Sequence, residues 1–295
     1  MPAAERATSI DAALLRGWPL PVPEGGDKNA RGSVFVVAGA PQMPGAAILC
    51  ATAALRAGAG KLQIGTCASV GVHVGSAVLE SLVVALDETP SGAIALASAQ
   101  TIAERANKAD ALVIGPGLVD QSASGDLIAA VVTKLDVPAI IDAAALACFS
   151  DREDVIACLG GRAILTPHAG EMATMLQRPR EEIEANPQSC ALEAAQRFHA
   201  VVALKGETTY IADPAGALYR NDHGDIGLAT SGSGDVLAGI IGGLLARGAE
   251  PLHAAAWGVY LHAQAGEVLA KRIGMGFLAR ELSAEVPSLM RALSA

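Results

Sequence analysis

Short apolar runs alternate along this chain with longer stretches in which apolar residues recur at helical spacing. The short runs are rich in β-branched residues and are bounded by glycine or polar residues, which is typical of buried strands. Strands that alternate with helices predict a largely parallel sheet covered on both faces. The predicted strands span residues 33–38, 61–66, 81–86, 111–114, 139–142, 163–166 and 201–205.

The remaining segments are expected to surround this sheet. A helix is predicted at about 44–57, and two short runs at 208–213 and 217–220, divided by Pro214-Ala215-Gly216, predict a hairpin. Helical patterns near 234–247, 251–272 and 279–293 close the chain, and residues 1–32 form an arm with a short helix around 9–15. Since no internal repeat or low-complexity linker divides the sequence, we expect one domain over residues 1–295.

Composition narrows the function classes. The 295 residues are 52% hydrophobic, enough for a large core, and the net charge of −9 argues against nucleic acid or an anionic membrane as the main partner. No apolar run reaches the ~18 residues of a membrane span. The cysteines are odd in number and form no Cys-x-x-Cys pair, which predicts a reduced, cytoplasmic protein without a cysteine metal site: Cys50, Cys67, Cys148, Cys158 and Cys190.

A glycine-rich stretch carries the strongest functional signal. Residues 228–239 read Leu-Ala-Thr-Ser-Gly-Ser-Gly-Asp-Val-Leu-Ala-Gly. Gly232 and Gly234 remove Cβ atoms where the backbone must approach something closely, and apolar residues at helical spacing follow them. The free N–H groups and the dipole of the helix start form an anion site suited to a phosphate.

Asp235 follows these glycines directly and has two interpretations. Asp often caps a helix. However, Ser231 and Ser233 could cap this helix as well, and an anion beside a phosphate site is repelled unless its charge has a task. A general base that takes a proton from a hydroxyl attacking a phosphate has such a task. The stretch taken as a unit favours the base.

Polar and glycine residues gather at the carboxyl ends of the predicted strands, where ligands bind in open α/β sheets. Residues 115–117, Gly-Pro-Gly, form either an ordinary tight turn or a bare backbone wall against a flat ligand. His168 and Glu171 lie three apart at a helix start and face the same way. Glu171 is either part of a cap or a carboxylate that orients a hydrated Mg²⁺. His168 is either structural or a hydrogen-bond partner of a ligand.

The next strand ends in residues 205–209, Lys-Gly-Glu-Thr-Thr. They form either a surface hairpin or a turn whose lysine and free N–H groups hold phosphates. With the glycine-rich stretch following in the chain, they favour a nucleotide phosphate cradle. The chain lacks the Lys-Ser/Thr of a P-loop, and residues 58–60 lack the third glycine of a dinucleotide fingerprint. The residues alone therefore predict a phosphoryl-transfer site and leave its acceptor open.

Six ordered segments across about residues 28–293 resemble the ADP/ATP-dependent NAD(P)H-hydrate dehydratases. The glycine-rich stretch alone would resemble only the wider ribokinase-like superfamily. The resemblance implies a ribokinase-like three-layer α/β/α sandwich with a mostly parallel central sheet, often assembled as a homotetramer. The segments are Pro44-Gly45-Ala46-Ala47-Ile48-Leu49, Gly58-Ala59-Gly60, Gly115-Pro116-Gly117-Leu118, Thr166-Pro167-His168-Ala169-Gly170-Glu171, Val202-Ala203-Leu204-Lys205-Gly206 and Gly227 to Gly239.

This resemblance implies a cofactor-repair lyase. Its substrates are (6S)-NADHX and (6S)-NADPHX, hydrated at C6 of the nicotinamide ring, and its products are NADH and NADPH. ADP or ATP, with Mg²⁺, is the co-substrate and yields AMP or ADP plus phosphate. Phosphorylation turns the C6 hydroxyl into a good leaving group, and the lone pair of the ring nitrogen then drives elimination.

The resemblance also assigns roles to individual residues. Asp235 is the catalytic base, and Glu171 is a water-mediated contact of Mg²⁺. The hydrate would be bound by Ala46, Gly117, His168 and Asp235. The nucleotide would be bound by Lys205, Gly206, Glu207, Thr208, Thr209 and Gly234, and the anion hole would comprise Gly232, Ser233 and Gly234.

The chain departs from the family pattern in several places. Residues 28–32 read Lys-Asn-Ala-Arg-Gly where many members have His-Lys-Gly, and Ala144 replaces an acidic residue. Residues 225–226 read Asp-Ile for Asn-Pro, and Ala263 replaces a glycine. These departures leave Asp235 in place and bear on substrate preference and efficiency. We also expect no fused epimerase domain ahead of Ser33, so that a separate epimerase would handle the R epimer.

Two other functions remain open from the sequence. The first is a vitamin-precursor kinase of the same superfamily, acting on a hydroxyethylthiazole or hydroxymethylpyrimidine. The second is a nucleotide-binding protein without catalysis. His253, Trp257 and His262 are predicted to be packing or interface residues, with no part in the chemistry.

Overall fold

The computed structural model describes residues 7–22, 28–143, 146 and 149–294. Ten strands in these ranges form one sheet. They are β1 (Thr8–Ser9), β2 (Ser33–Val37), β3 (Lys61–Cys67), β4 (Ser81–Leu86), β5 (Ala111–Ile114), β6 (Ala139–Ile141), β7 (Ala163–Leu165), β8 (Val201–Leu204), β9 (Thr209–Ala212) and β10 (Leu218–Asn221).

Twelve α-helices are seen in the same ranges. They are α1 (Ala12–Arg16), α2 (Pro44–Arg56), α3 (Gly71–Ala77), α4 (Ala99–Ala106), α5 (Gln121–Val132), α6 (Glu153–Ala157), α7 (Ala169–Leu176), α8 (Arg180–Ala185), α9 (Pro187–Phe198), α10 (Ser233–Ala246), α11 (Pro251–Ile273) and α12 (Ala279–Ser294).

The sheet is mostly parallel and runs in the order β1-β10-β9-β8-β7-β6-β5-β2-β3-β4. Strand β9 is antiparallel to both of its neighbours, whereas β4, β3, β2, β5, β6, β7 and β8 are parallel to one another. The chain steps outward from β2 to β3 and β4 and then returns to β5 on the other side of β2. The crevice between the carboxyl ends of β2 and β5 is therefore a topological switch point, where open α/β sheets bind ligands.

Two apolar cores lie on opposite faces of the sheet. Val34 and Val36 of β2 pack into the core that includes α2, α10, α11 and α12. Phe35 and Val37 face the other core, which includes α4, α5 and α9. A strand buried on both faces has to be apolar throughout, which explains the unbroken hydrophobic runs in the sequence. The predicted three-layer α/β/α fold is confirmed.

Most predicted strands and helices are present, and several strands end one residue earlier than predicted. Strands β6, β7 and β8 each end one residue before the predicted last residue, which was Asp142, Thr166 or Lys205, respectively. The predicted helix around 9–15 is α1, which begins at Ala12 after its cap, Asp11. Strand β1 pairs with β10 and was not predicted. Residues 1–6 and 23–27 of the predicted arm lie outside the described residues, as does Ala144.

No helix within the described ranges is long and apolar enough to cross a membrane. Four cysteines in those ranges carry free thiols: Cys50, Cys67, Cys158 and Cys190.

Candidate active site

Helix α10 begins over the carboxyl edge of the sheet because small residues let it pack closely on α2. A Cβ at Gly239 would lie 2.1 Å from the Cys50 carbonyl oxygen, and one at Gly243 would lie 2.3 Å from the Ala54 carbonyl oxygen. Gly232 precedes the helix with φ +88°, a left-handed conformation that glycine adopts at little cost. Because a side chain at Gly239 or Gly243 would collide with α2, these two glycines allow the close packing of α10 on α2 that places the N-terminal turn of α10.

A buried ion pair faces that turn. The Lys205 ammonium lies 3.1 Å from Asp142 Oδ1, and the two side chains are 22% and 3% exposed. Thr166 Oγ1 donates a hydrogen bond of 2.6 Å to the same oxygen. Burial lowers the pKa of Lys205, but the attraction of Asp142, Glu171 and Asp235 outweighs it and raises the pKa above its usual value. Lys205 is therefore a fixed positive charge at the ends of three neighbouring strands.

Asp235 lies in the first turn of α10, half-buried beside this pair. Burial raises its pKa from 3.8 to about 6, and the negative charge of Asp142 adds to that rise, whereas Lys205 opposes it. A carboxylate with a pKa near 6 is a stronger base than an ordinary Asp and remains ionised at neutral pH. The environment therefore suits proton abstraction from a hydroxyl.

His168 and Glu171 form a capping box at the start of α7. His168 Nδ1 accepts hydrogen bonds from the N–H groups of Gly170 and Glu171, at 3.0 and 3.1 Å. In return, Glu171 Oε2 accepts the His168 N–H at 2.8 Å. Glu171 is thus part of a cap, and its charge also acts on Lys205. The His168 side chain remains 60% exposed, with its Nε2 3.6 Å from Glu171 Oε1.

A cavity of about 870 Å³ opens between the start of α10, the turn after β8 and helix α11. The Lys205 ammonium lies against the backbone of Gly234, since a Cβ built there would be 3.6 Å from Nζ. The cavity wall therefore carries the positive charge of Lys205, and it is partly apolar, with Leu228, Leu237 and Val259 among its residues. The cavity wall includes these residues predicted from the sequence: His168, Lys205, Gly206, Glu207, Thr209, Ser233 and Gly234.

Thr208 lies in a different place from Thr209. Its hydroxyl donates to Asp222 Oδ1 at 3.0 Å, and the residue faces a second cavity of about 560 Å³. The two cavities adjoin because His168, Lys205, Gly206 and Glu207 border both.

The two small residues predicted to bind the hydrate lie together at the switch point. Ala46 is in the first turn of α2, and a Cβ at Gly117 would lie 2.4 Å from its Cβ. The Gly39 N–H after β2 donates to the Pro116 carbonyl oxygen at 2.8 Å, which holds the two loops together. Cys50, one turn after Ala46, lies close enough to Asp235 and Asp142 that both charges add to the effect of burial in raising its pKa. Ala46, Gly117 and Asp235 thus lie on the α2 side of the site and line neither of these two cavities.

Two residues of the site were not recognised in the sequence. His262 was predicted to be a packing or interface residue with no part in the chemistry; it lines the large cavity, with Nε2 3.0 Å from Ser233 Oγ. Asp142 was predicted only as a strand end, although the strand-end pattern that identified Lys205 also applied to it. His253 does pack, stacked on Trp18, and Trp257 is buried.

No group of three or more His, Cys, Asp or Glu residues in the described part of the chain could hold a metal ion by itself. Any divalent ion here would take most of its ligands from a bound phosphate and water, as Mg²⁺ commonly does. The site can therefore bind a nucleotide phosphate, neutralise it and deprotonate an acceptor hydroxyl.

These features define a ribokinase-like three-layer α/β/α fold. The family profile of the NAD(P)H-hydrate dehydratases matches residues 34–288. This chain belongs to that family.

Three relatives show how far the likeness extends. The chain is 45% identical over 286 residues to the ADP-dependent (S)-NAD(P)H-hydrate dehydratase of Xanthomonas campestris, covering 97% of this chain and 96% of the relative. It is 39% identical over 269 residues to the bifunctional NAD(P)H-hydrate repair enzyme of Moorella thermoacetica and spans 51% of that longer protein. The ADP/ATP-dependent NAD(P)H-hydrate dehydratase of Bacillus subtilis, co-crystallised with ATP/Mg²⁺, superimposes with a TM-score of 0.82 at 30% identity, covering 98% of this chain and all of that one.

Proposed function

We propose that this protein repairs hydrated nicotinamide cofactors by nucleotide-dependent dehydration of (6S)-NADHX and (6S)-NADPHX. The observation that carries the proposal is the position of Asp235. The pKa of its carboxyl is raised to about 6, and Asp235 lies in the first turn of α10, close enough to Cys50 of α2 for its charge to raise the pKa of that thiol. Family membership supplies the identity of the acceptor hydroxyl.

The nucleotide lies in the large cavity, with its phosphates beside Lys205 and Gly234. Lys205 and the first-turn N–H groups of α10 neutralise the phosphate charge there. Asp142 and Thr166 hold the Lys205 ammonium in place. The apolar part of the cavity wall, which includes Leu228 and Val259, accepts the adenine base.

The hydrate lies in the crevice, with its nicotinamide ring against the bare backbone at Gly117 and its hydroxyl at Asp235. The C6 oxygen attacks the terminal phosphorus of ADP or ATP, Asp235 takes the hydroxyl proton, and AMP or ADP leaves. The C6–O bond then breaks as the lone pair of the ring nitrogen forms a double bond to C6, and the resulting iminium ion loses a proton from C5 to the departing phosphate, which leaves a C5–C6 double bond. Phosphate departs with the bonding electrons, and NADH or NADPH remains.

Mg²⁺ bound to the nucleotide would offset the negative charge of the phosphates during transfer. The residue nearest to that role is Glu171, whose Oε2 already accepts the His168 N–H. It would reach the ion through water, since the described residues offer no cluster of ligands.

The family resemblance supports three further parts of the proposal. The chain acts as one domain, with residues 1–32 as an arm, and assembles as a homotetramer in the cytoplasm. A separate epimerase converts the R hydrate into the S form that this site accepts. Exposed apolar side chains beside the edge strand β4, at Val72, Leu79 and Leu82, favour a subunit interface on that side of the sheet.

The test supplies purified (6S)-NADHX or (6S)-NADPHX with Mg²⁺ and either ADP or ATP. We expect the near-ultraviolet absorbance of the reduced nicotinamide to rise only when a nucleotide is present. Asp235→Asn keeps the shape of the side chain and removes the base, so the rate should fall by about a hundredfold or more. The initial rates with the two nucleotides also identify the preferred one.

Asp213→Asn is the matched control. Asp213 accepts the Ala217 N–H in the β9–β10 turn, away from both cavities, so its variant should keep the wild-type rate. No rise in absorbance with either nucleotide would contradict the proposal. A stable phosphorylated alcohol as product would indicate a vitamin-precursor kinase instead.

A further inference from the structure

His262 joins helix α11 to the phosphate-binding turn of α10. Its Nε2 lies 3.0 Å from Ser233 Oγ and 3.1 Å from the Ser233 carbonyl oxygen. Both residues line the large cavity, and Ser233 is 6% exposed. Since Ser233 is the first residue of α10, the contact fixes the turn that carries Gly234 and Asp235.

The two contacts determine where the protons lie. A carbonyl oxygen can only accept a hydrogen bond, so the short contact to the Ser233 carbonyl requires a proton on His262 Nε2. Burial lowers the pKa of His262 to about 4, with Lys205 adding to the decrease and the Ser233 bond opposing it, so the ring is neutral. Its single N–H therefore points at both oxygens of Ser233, and Ser233 Oγ accepts.

The remaining donor of Ser233 is its hydroxyl. The Ser233 N–H donates to the Thr230 carbonyl oxygen at 3.2 Å and is therefore already engaged within the protein. Because Ser233 Oγ accepts from His262, its own proton is free to turn toward the cavity, beside Gly234 and the Lys205 ammonium. A hydroxyl donor at that point faces the same anion as the lysine.

We propose that His262 is a positioning residue for the nucleotide: it holds Ser233 as an acceptor, so that the Ser233 hydroxyl donates to a phosphate oxygen. This role rests on the proposed nucleotide site. His262 itself touches neither the phosphate nor the reacting hydroxyl, and it acts through Ser233.

Titration calorimetry with ADP and Mg²⁺ tests the role in four proteins: wild type, His262→Leu, Ser233→Ala and the double variant. Loss of one hydrogen bond to a charged group should raise Kd about tenfold in either single variant. The double variant should bind no more weakly than the singles, because both remove the same hydroxyl contact. His262→Gln, which keeps a donor at the same reach, should bind within about threefold of wild type.

His253→Leu is the matched control, because His253 lies on the same helix and packs on Trp18 outside the cavity. Its melting temperature should fall, but its Kd for ADP should not change. The proposal would be overturned if the increases in Kd of the two single variants multiplied in the double variant. It would also be overturned if Ser233→Ala bound ADP with the wild-type Kd, and this second result does not depend on how well His262→Leu folds. Calorimetry measures ADP binding without turnover. If the single and double variants weaken ADP binding equally but the wild-type protein does not dehydrate the hydrate, the role of His262 stands and only the proposed function is contradicted.

Discussion

Asp235 holds its proton more tightly in the folded protein than in the unfolded chain. Burial and the charge of Asp142 raise its pKa from 3.8 to about 6, despite the opposing charge of Lys205. The folded state therefore becomes less stable, relative to the unfolded state, as the pH rises from 3.8 to about 6. Above that window the carboxylate is ionised in both states and the cost is constant. The group that makes the site basic thus destabilises the fold at neutral pH.

Asp235→Asn should accordingly stabilise the protein at neutral and higher pH while it abolishes activity. Asparagine cannot ionise, so the gain in unfolding free energy should approach about 3 kcal/mol at about pH 8, from a shift of about two pKa units. The gain should disappear at about pH 4, where the wild-type residue is protonated in the folded state. Urea unfolding of both proteins across this range measures the difference. An advantage that is equal at both ends would show that the ionisation of Asp235 is not its source.

Asp235 and Lys205 were predicted as site residues because each stands in a local pattern that suits a chemical role. The roles of Asp142 and His262 depend on partners 63 and 29 residues away. Nothing in their immediate neighbours indicates an ion pair or a bond to Ser233. The strand-end pattern could have singled out Asp142, but its pairing with Lys205 and the bond of His262 to Ser233 become visible only when the strand order and the α10–α11 packing are known.

Packing between α2 and α10 determines where the first turn of α10, and with it Asp235, lies. The α2 face toward α10 is lined by small residues, among them Cys50, Ala53 and Ala54, and Gly239 and Gly243 of α10 lie against them. Glycine four residues apart on one helix face allows backbone contact without side chains between. Asp235 stands one turn before Gly239, so any change in this contact moves the base.

Gly239→Ala should therefore reduce both stability and turnover. The new Cβ would lie 2.1 Å from the Cys50 carbonyl oxygen and 2.8 Å from Ala53 Cβ, so α10 has to move. Overpacking of this kind costs roughly 1–3 kcal/mol, and kcat should fall because Asp235 shifts with the helix. Thermal unfolding and steady-state kinetics measure the two effects.

Gly45→Ala provides the matched comparison for that prediction. Gly45 lies in the first turn of α2, and a Cβ there meets nothing within 4 Å. Alanine should leave stability unchanged or raise it by up to about 1 kcal/mol, through better helix propensity. Equal melting temperatures for the two variants would mean that the close α2–α10 contact does not limit stability.

The boundaries of helices and strands were largely predictable, because both cores demand apolar residues at fixed spacing. The predicted strand boundaries were wrong where only hydrogen bonding to a neighbouring strand determines whether a residue belongs to the sheet. The polar residues Asp142 and Thr166 end apolar runs, yet they turn into the site and leave the ladder. Strand β1 has only Thr8 and Ser9, and neither its length nor its composition distinguishes it from a loop. Its pairing with β10 exists because the fold brings the two together.

Strand order was the feature that the sequence could not supply. The periodicity predicts strands and helices, but it does not say that the chain returns to β5 on the far side of β2. That return places the loops after β2 and β5 side by side and creates the crevice at Ala46 and Gly117. The same order sets β6, β7 and β8 next to one another, so that Asp142, Thr166 and Lys205 meet.

Trp18, in the N-terminal segment, packs against helix α11 and strand β10. Trp18 stacks on His253 of α11, with ring centroids 4.4 Å apart, and meets the ring of Tyr219 of β10 edge-on at 5.1 Å. Its carbonyl oxygen accepts the Trp257 Nε1–H at 2.8 Å, across 239 residues of sequence. Helix α11 and strand β10, which flank the large cavity, are thus held by a residue that has no place in it.

Trp18→Ala should therefore destabilise the fold and leave the chemistry intact. Loss of a half-buried indole and its ring contacts should cost roughly 2–4 kcal/mol, seen as a lower melting temperature. Measured well below that temperature, kcat should equal the wild-type value, because no atom of Trp18 borders the cavity. Val22→Ala is the control, since Val22 is 81% exposed in the same segment and should melt with wild type. A lower kcat with an unchanged melting temperature would contradict this prediction, because it would mean that Trp18 affects catalysis and does not stabilise the fold.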